Sequence, residues 1–274
     1  MQIHAPAKLN LCLYLGGRRG DGLHELCSLF EPLALADSIA VREAERDEVL
    51  CPGVDGENLA ARALAALRER GWGRSPLSSE IEKRIPVAAG LGGGSADAAA
   101  LLRLAAGEVA DLEEIALGLG ADVPSQLTPS LALVRGAGET VERLPRPAPH
   151  SVVLLPGGGG LRTAEVFAEA DRLGLGRGPG ELDVLAERLR AAAGAGASPL
   201  SYPELLVNDL EPAARSLRPA IGETLDALRA AGAPQTLLTG SGPTVFGLFE
   251  NLATARDAAA ELDRGDAIVC EAAP

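Results

Sequence analysis

Lysine is nearly absent from this chain. Of its 25 basic residues only Lys8 and Lys83 are lysine. Codon bias toward Ala, Arg and Gly explains the scarcity but not where the survivors sit, and lysine differs from arginine in geometry and hydration. Both lie in segments that carry chemistry below, although Lys83, near a strand end, reads equally well as a solvated charge. Aromatic residues make up 3% of the chain against an apolar fraction of 47%. The core must therefore come from Ala, Leu and Val, and each aromatic side chain merits separate attention.

The four cysteines, Cys12, Cys27, Cys51 and Cys270, show no Cys-x-x-Cys pair and no histidine at zinc-ligand spacing, which leaves them as small buried hydrophobes. Positive charge is in deficit too. The net charge of −13 excludes a broad basic field for nucleic acid or an anionic membrane surface, so the expected partner is a small molecule held by locally gathered amides and cations. No stretch approaches the ~20 apolar residues of a membrane span, and Met1 to Asn10 lack a charged-then-apolar leader pattern. A reducing cytoplasm is the expected location. Oligomeric state is not legible.

What is present is a mixture of strand and helix signals over 274 residues, enough for one large domain or two small ones. Leu9, Leu11, Leu13 and Leu15 alternate on one strand face, with Lys8 and Asn10 sharing the other. Arg18 to Gly22 is a polar turn, and Leu29 to Val41 reads as strand with a turn at Ala36-Asp37-Ser38. Helices are expected at Asn58–Arg70, Ala96–Ala106 and Asp111–Leu119. Strands are expected at Ser79–Ile85, Leu131–Val134 and Thr140–Leu144. Three prolines between Pro145 and Pro149 mark a domain boundary, dividing the chain into 1–147 and 148–274. Beyond it come strands at Val152–Leu155, Gln235–Leu238, Thr244–Phe249 and Ala267–Cys270, with helices at Thr163–Leu173, Leu182–Ala193, Arg215–Ala231 and Thr254–Leu262. The fold class is α+β in two domains.

Between the strand ending at Pro86 and the alanine-rich helix runs Val87-Ala88-Ala89-Gly90-Leu91-Gly92-Gly93-Gly94-Ser95-Ala96. Glycines let the backbone approach a ligand closely, and the helix behind them directs unpaired amides and its positive dipole end at that point, which favours an anion. A glycine-rich loop also serves as a plain turn. The segment is neither a Walker A loop, which ends in Gly-Lys-Ser/Thr, nor a dinucleotide fingerprint, whose third glycine is replaced by Ser95.

The segment Pro86 to Asp97 resembles the phosphate loop of the GHMP kinases. Three further segments, Ala5-Pro-Ala-Lys8-Leu-Asn10-Leu, Gly17-Arg-Arg-Gly-Asp21-Gly-Leu-His24-Glu25-Leu and Gly120-Ala-Asp122-Val-Pro124, are similar to motifs of the 4-diphosphocytidyl-2-C-methyl-D-erythritol kinase family, as is Thr239-Gly-Ser-Gly-Pro-Thr244-Val-Phe. The resemblance implies the two-domain GHMP kinase fold, with a ribosomal protein S5 domain 2-like amino-terminal domain and a ferredoxin-like carboxy-terminal one. It also implies phosphorylation of the 2-hydroxyl of a cytidine diphosphate substrate by ATP and Mg²⁺, in the non-mevalonate route to isoprenoids. Carried over by position, Asp122 is the base and Lys8 its companion cation. Pro86 to Ala96, with Asn58 and Leu59 near the adenine, bind ATP, while Asn10, Leu23, His24 and the second loop, Gly240, Ser241 and Gly242, face the substrate. The resemblance names no metal ligands.

Each assignment has a plainer alternative. Asp122 before Val-Pro can merely shape a turn, Ser95 can touch phosphate or Mg²⁺ or simply cap a helix, and Lys8 can be a solvated charge. The family pattern usually has Tyr before the histidine, where this chain has Leu23. Loss of that stacking surface would weaken cytidine binding, leaving Phe30 and Phe167 as the aromatic candidates near the substrate. A homoserine- or mevalonate-type kinase and a catalytically silent nucleotide binder are the competing readings.

Overall fold

The computed structural model describes residues 1–54, 56, 58–159 and 161–273. Two long strands, β1 (Gln2–Arg18) and β2 (His24–Glu43), form an antiparallel hairpin that dominates a six-stranded sheet. The other edge of β2 is shared. Its carboxy-terminal half pairs with β4 (Leu77–Glu82), which in turn takes β3 (Glu48–Leu50), and its amino-terminal half pairs with β5 (Ala132–Gly136), followed by β6 (Thr140–Arg143).

Helices α1 (Leu59–Glu69), α2 (Gly93–Leu102) and α3 (Leu112–Leu119) pack against this sheet through a cluster that includes Ile39, Val41, Ile81, Leu64, Leu67 and Leu101. Residues Ala96 to Leu102 of α2 are all buried. A helix buried on every side belongs inside the protein; the alanines of this one let its neighbours approach closely, and its single carboxylate, Asp97, is met by Lys83. A single turn, α4 (Val123–Gln126), follows α3.

The second sheet has β7 (Ser151–Leu155), β8 (Gln235–Leu238), β9 (Val245–Phe249) and β10 (Ile268–Glu271) in the order β10-β7-β9-β8, all antiparallel. Between β7 and β8 lie α5 (Thr163–Leu173), α6 (Pro179–Ala193), α7 (Glu211–Leu217) and α8 (Ala220–Ala230), and α9 (Leu252–Glu261) joins β9 to β10. This β-α-β-β-α-β order is the ferredoxin-like arrangement, with extra helices in its first crossover. The two sheets share one core: Leu9, Leu11 and Tyr14 of β1 meet Val152, Leu154 and Phe246 of the second sheet and Leu185 and Leu189 of α6.

Four expectations change. Leu9, Leu11, Leu13 and Leu15 do not keep one face of β1: the register shifts between Asn10 and Cys12, so Leu9 and Leu11 pack with Cys12 and Tyr14, whereas Leu13 and Leu15 pack in a separate cluster with Val153 and Leu155. Strand β2 runs straight through Ala36-Asp37-Ser38, because both edges there are paired (Asp37 with Ala5, Ser38 with Glu82) and the Asp37 carboxylate accepts hydrogen bonds from another segment instead of closing a turn. The helix expected within 215–231 is α8, but residues 215–217 belong to the separate α7, the break falling at Arg218, whose position before Pro219 disfavours helical backbone. The glycine-loop helix starts three residues early, at Gly93, so two loop glycines form its first turn. The proline-rich segment lies between β6 and β7.

Candidate active site

The glycine loop is the wall between two cavities. The larger, of about 510 Å³, is lined by every residue from Pro86 to Ser95 together with Asn58, Leu59, Lys83 and Asp97. The smaller, of about 300 Å³, is lined by Lys8, Asn10, Phe30, Asp122, Phe167 and Ser241 among others. Gly90, Gly92, Ser95 and Thr163 line both. An anion held on the loop is thereby reachable from either side.

The loop turns through left-handed backbone at Ala88 (φ 55°), Gly90 (φ 75°) and Gly92 (φ 69°) before α2 begins. Ala88 is the strained member, since only glycine enters that region freely. At Gly92 the side chain is excluded as well: a Cβ there would lie 2.8 Å from Cγ of Lys8. The loop thus rests on the Lys8 stem, and the Lys8 backbone N–H donates to the Leu91 carbonyl at 2.9 Å.

Lys8 is buried. Its ammonium donates to Asn10 Oδ1 at 2.7 Å, stands 3.4 Å from Asp122 Oδ2 and lies 4.9 Å from the centroid of the Phe30 ring. The amide of Asn10 is fixed in turn. Nδ2 donates to Ser28 Oγ at 3.0 Å, and the Ser28 hydroxyl donates to the Cys12 carbonyl. The Asn10 backbone N–H reaches Thr239 Oγ1 at 3.1 Å, which ties the second glycine loop to β1. Asp122 is the residue before α4 and its side chain remains 33% exposed. Among the described residues no group donates a hydrogen bond to that carboxylate. The two charges face each other across a gap longer than a hydrogen bond, with acceptor capacity left for a ligand.

On the nucleotide side the second lysine is held otherwise. Lys83 donates to Asp97 Oδ2 at 2.8 Å and to Asp37, whose other oxygen accepts the backbone N–H groups of Arg84 (2.6 Å) and Ile85 (2.8 Å). Burial alone would lower the Lys83 pKa, but its bonds to Asp37 and Asp97 outweigh it and the pKa is raised. Asp97 is pushed up to about 7, chiefly by burial and also by Asp37, against the opposing pull of Lys83. One cation serves two buried carboxylates, so the site is one positive charge short, which favours proton uptake at Asp97.

The structure places the remaining candidates as follows. Asn58 caps α1, its Oδ1 accepting from the Ala60 N–H at 2.8 Å, and Ala96 is buried behind the loop. Gly240 and Ser241 line the smaller cavity, while Gly242 does not. Leu23 and His24 line neither cavity. Leu23 is 53% exposed at the mouth of the β1–β2 turn. His24 bonds Asp171 at 2.7 Å and packs against the Phe167 ring, 5.1 Å between centroids, and it is Phe167 that reaches the cavity. Thr163 and Asp37 are among the residues that the sequence does not announce. Thr163 lines both cavities and shares a 3.0 Å hydrogen bond with Ser241. Its only signal was its place at the start of a helix just after a run of glycines. Asp37 was assigned to a turn.

Known proteins share this arrangement. The model described as "GHMP kinases N terminal domain" matches residues 58–127, and "GHMP kinases C terminal" matches 182–267. A 4-diphosphocytidyl-2-C-methyl-D-erythritol kinase from Mesorhizobium japonicum is 39% identical over 94% of this chain and 90% of its own length. The chain belongs to that kinase family. A second member, from Anaeromyxobacter dehalogenans, is 40% identical over 93% of this chain and 82% of its own length. The crystal structure of a 4-(cytidine 5'-diphospho)-2C-methyl-D-erythritol kinase superposes over 100% of both chains with a TM-score of 0.81 at 37% identity. Homoserine kinase from Cytophaga hutchinsonii also matches over 100% of this chain and 94% of its own, with a TM-score of 0.70, but at 19% identity that likeness concerns the fold alone. As a member of this family the protein is an ATP-dependent small-molecule kinase. Among the described residues no helix is long and apolar enough to cross a membrane.

Proposed function

We propose that this kinase transfers the γ-phosphoryl group of ATP to the 2-hydroxyl of 4-diphosphocytidyl-2-C-methyl-D-erythritol, in the cytoplasm, as a step of the non-mevalonate route to isoprenoid precursors. The observation that carries this reading is the shared wall: one glycine loop bounds both cavities, and the Lys8–Asp122 pair stands on the side away from the nucleotide cavity. Residues 1–147 supply the loop, Lys8 and Asp122, and residues 148–274 close the acceptor side with Thr163, Phe167 and Ser241.

ATP occupies the larger cavity with its phosphates on the amides of Gly92 to Ser95, where the start of α2 favours negative charge. The acceptor hydroxyl lies in the smaller cavity beside Asp122, which accepts its proton, while the Lys8 ammonium stabilises the alkoxide as charge develops. The Asn10 amide holds Lys8 at that place. Phe167, backed by His24, offers the cytosine an aromatic face, a role that the exposed Leu23 is not placed to fill. Among the described residues no cluster of three His, Cys, Asp or Glu side chains could hold a metal ion. The Ser95 hydroxyl, which lines both cavities, would be the protein's contribution to a Mg²⁺ ion carried on the triphosphate, and the ion would supply charge neutralisation across the phosphates.

Product formation by mass, with ATP, Mg²⁺ and in turn the cytidine diphosphate substrate, homoserine and mevalonate, tests the reading. Turnover is expected with the cytidine substrate alone. Turnover with either of the others, or ATP binding with none, would overturn it.

A further inference from the structure

Asp122 sits on a scaffold with few bonds of its own: the Ser125 hydroxyl donates to Asp122 O at 2.7 Å, Val123 N–H to Gly120 O at 3.1 Å and Leu127 N–H to Pro124 O at 3.3 Å. Helix α4 is one turn, and a single turn fixes several residues for hardly any internal hydrogen bonds. The carbonyls at its far end are taken by two guanidinium groups. Arg143, at the end of β6, donates to Ser125 O at 2.9 Å and Pro124 O at 3.4 Å. Arg103, following α2, donates through Nη1 to Gln126 O at 2.8 Å and through Nη2 to His4 O at 2.6 Å. His4 belongs to β1, four residues before Lys8. One planar fork therefore joins the strand that bears Lys8 to the helical turn that directly follows Asp122.

Neither arginine has an ion-pair partner in contact among the described residues, and burial lowers the pKa of both, opposed at Arg143 by the more distant Glu113 carboxylate. A partly buried cation without a carboxylate is expensive unless dipoles answer it, and carbonyls at the end of a helix do so. The other end of α4 is braced by the β5–β6 turn. At Gly138 (φ 114°) a Cβ would fall 2.3 Å from the carbonyl oxygen of Ala121, so this turn lies directly on the residue before Asp122. The same hairpin carries Arg143.

We propose that Arg103 and Arg143 are positioning residues for phosphoryl transfer: they grip the end of α4 and so set Asp122 against Lys8. The proposal rests on the reading of Asp122 as the base. Neither guanidinium touches substrate; each acts through the backbone that carries the carboxylate. Displacement of a reacting group by about 1 Å can cost ~10²-fold in rate, so the grip bears on kcat rather than on binding.

The test is a kinetic cycle on the full chain with ATP, Mg²⁺ and the cytidine substrate, using Arg103→Met, Asp122→Asn and the two combined. Arg103→Met is expected to lower kcat about tenfold with both KM values within about threefold. In the Asp122→Asn background it is expected to cost nothing further. Arg103→Lys, which keeps the charge but not the two-carbonyl fork, should fall between. An equal loss in both backgrounds, a raised KM with unchanged kcat, or no loss at all would overturn the proposal. Should Arg103→Met not fold, Arg143→Met runs through the same cycle with an expected loss of about threefold, because it leaves the His4 tie intact. A parental kcat in Asp122→Asn alone rejects the base reading before either arginine is changed, so the two failures are separate.

Discussion

The two lysines lie on opposite sides of one glycine loop and are held in opposite ways. Lys83 is finished: two buried aspartates take its protons, and one of them also fastens the backbone at Arg84 and Ile85. Lys8 is unfinished: it has one firm bond, to the neutral Asn10, and faces Asp122 across 3.4 Å. A cation that holds a wall completes its coordination within the protein, whereas one that must meet a ligand keeps part of it open. Composition alone singled out both lysines, and only their partners tell them apart.

That contrast can be broken in graded steps. The largest effect is expected from Lys8→Met, which should lower kcat by about 10² to 10³ with little change in the KM for ATP, because a charge stabilising the developing alkoxide is lost; steady-state kinetics decide, and a rise in KM alone would place Lys8 with ground-state binding. Lys83→Met should act on the fold instead. It strands two buried carboxylates, and urea unfolding should show a loss of about 3 kcal/mol, whereas a stability within error of the parent would remove the distinction.

Phe167→Ala should raise the KM for the cytidine substrate about tenfold, as expected for a lost stacking face. Leu23→Tyr should leave that KM nearly unchanged, since position 23 is exposed outside the cavity; a marked fall would return position 23 to the base-binding surface. The smallest effect concerns protons. A carboxyl raised from 3.8 to about 7, as at Asp97, contributes stability that is fully present below its unfolded pKa and is lost as pH rises through the folded one. Asp97→Asn is free of that loss, so its thermal midpoint should gain on the parent's as pH goes from about 5 to about 8. A constant difference would contradict the shift.

Much of this was legible in the sequence because it is local. The alternation of Leu9 and Leu11 writes the first half of β1 directly, and Lys8 and Asn10 fall together because a strand repeats every two residues, but the register shift after Asn10 sends Leu13 and Leu15 to the other face, which no local pattern announces. The glycine loop and its helix are contiguous. The parts that escaped are those made by long-range pairing. Asp37 looks like a turn residue among Ala and Ser, and only the pairing of β2 with β1 and β4 turns its carboxylate toward Lys83. Arg103 and Arg143 are ordinary arginines in a chain full of them, and nothing nearby in sequence announces the carbonyls of α4. Leu23 was assigned by its place in a motif; the β1–β2 turn instead leaves it exposed, and His24 points back to Phe167, which reaches the cavity from α5.

The division of labour between the two lysines turns on whether the open pair does the chemistry. A rapid-quench single turnover of Asp122→Asn, with enzyme in excess and both substrates saturating, isolates that step from binding and product release. Phosphoryl transfer slowed by about 10² to 10⁴ with ATP affinity unaltered is the result expected of a lost general base. Transfer at the parental rate would contradict it.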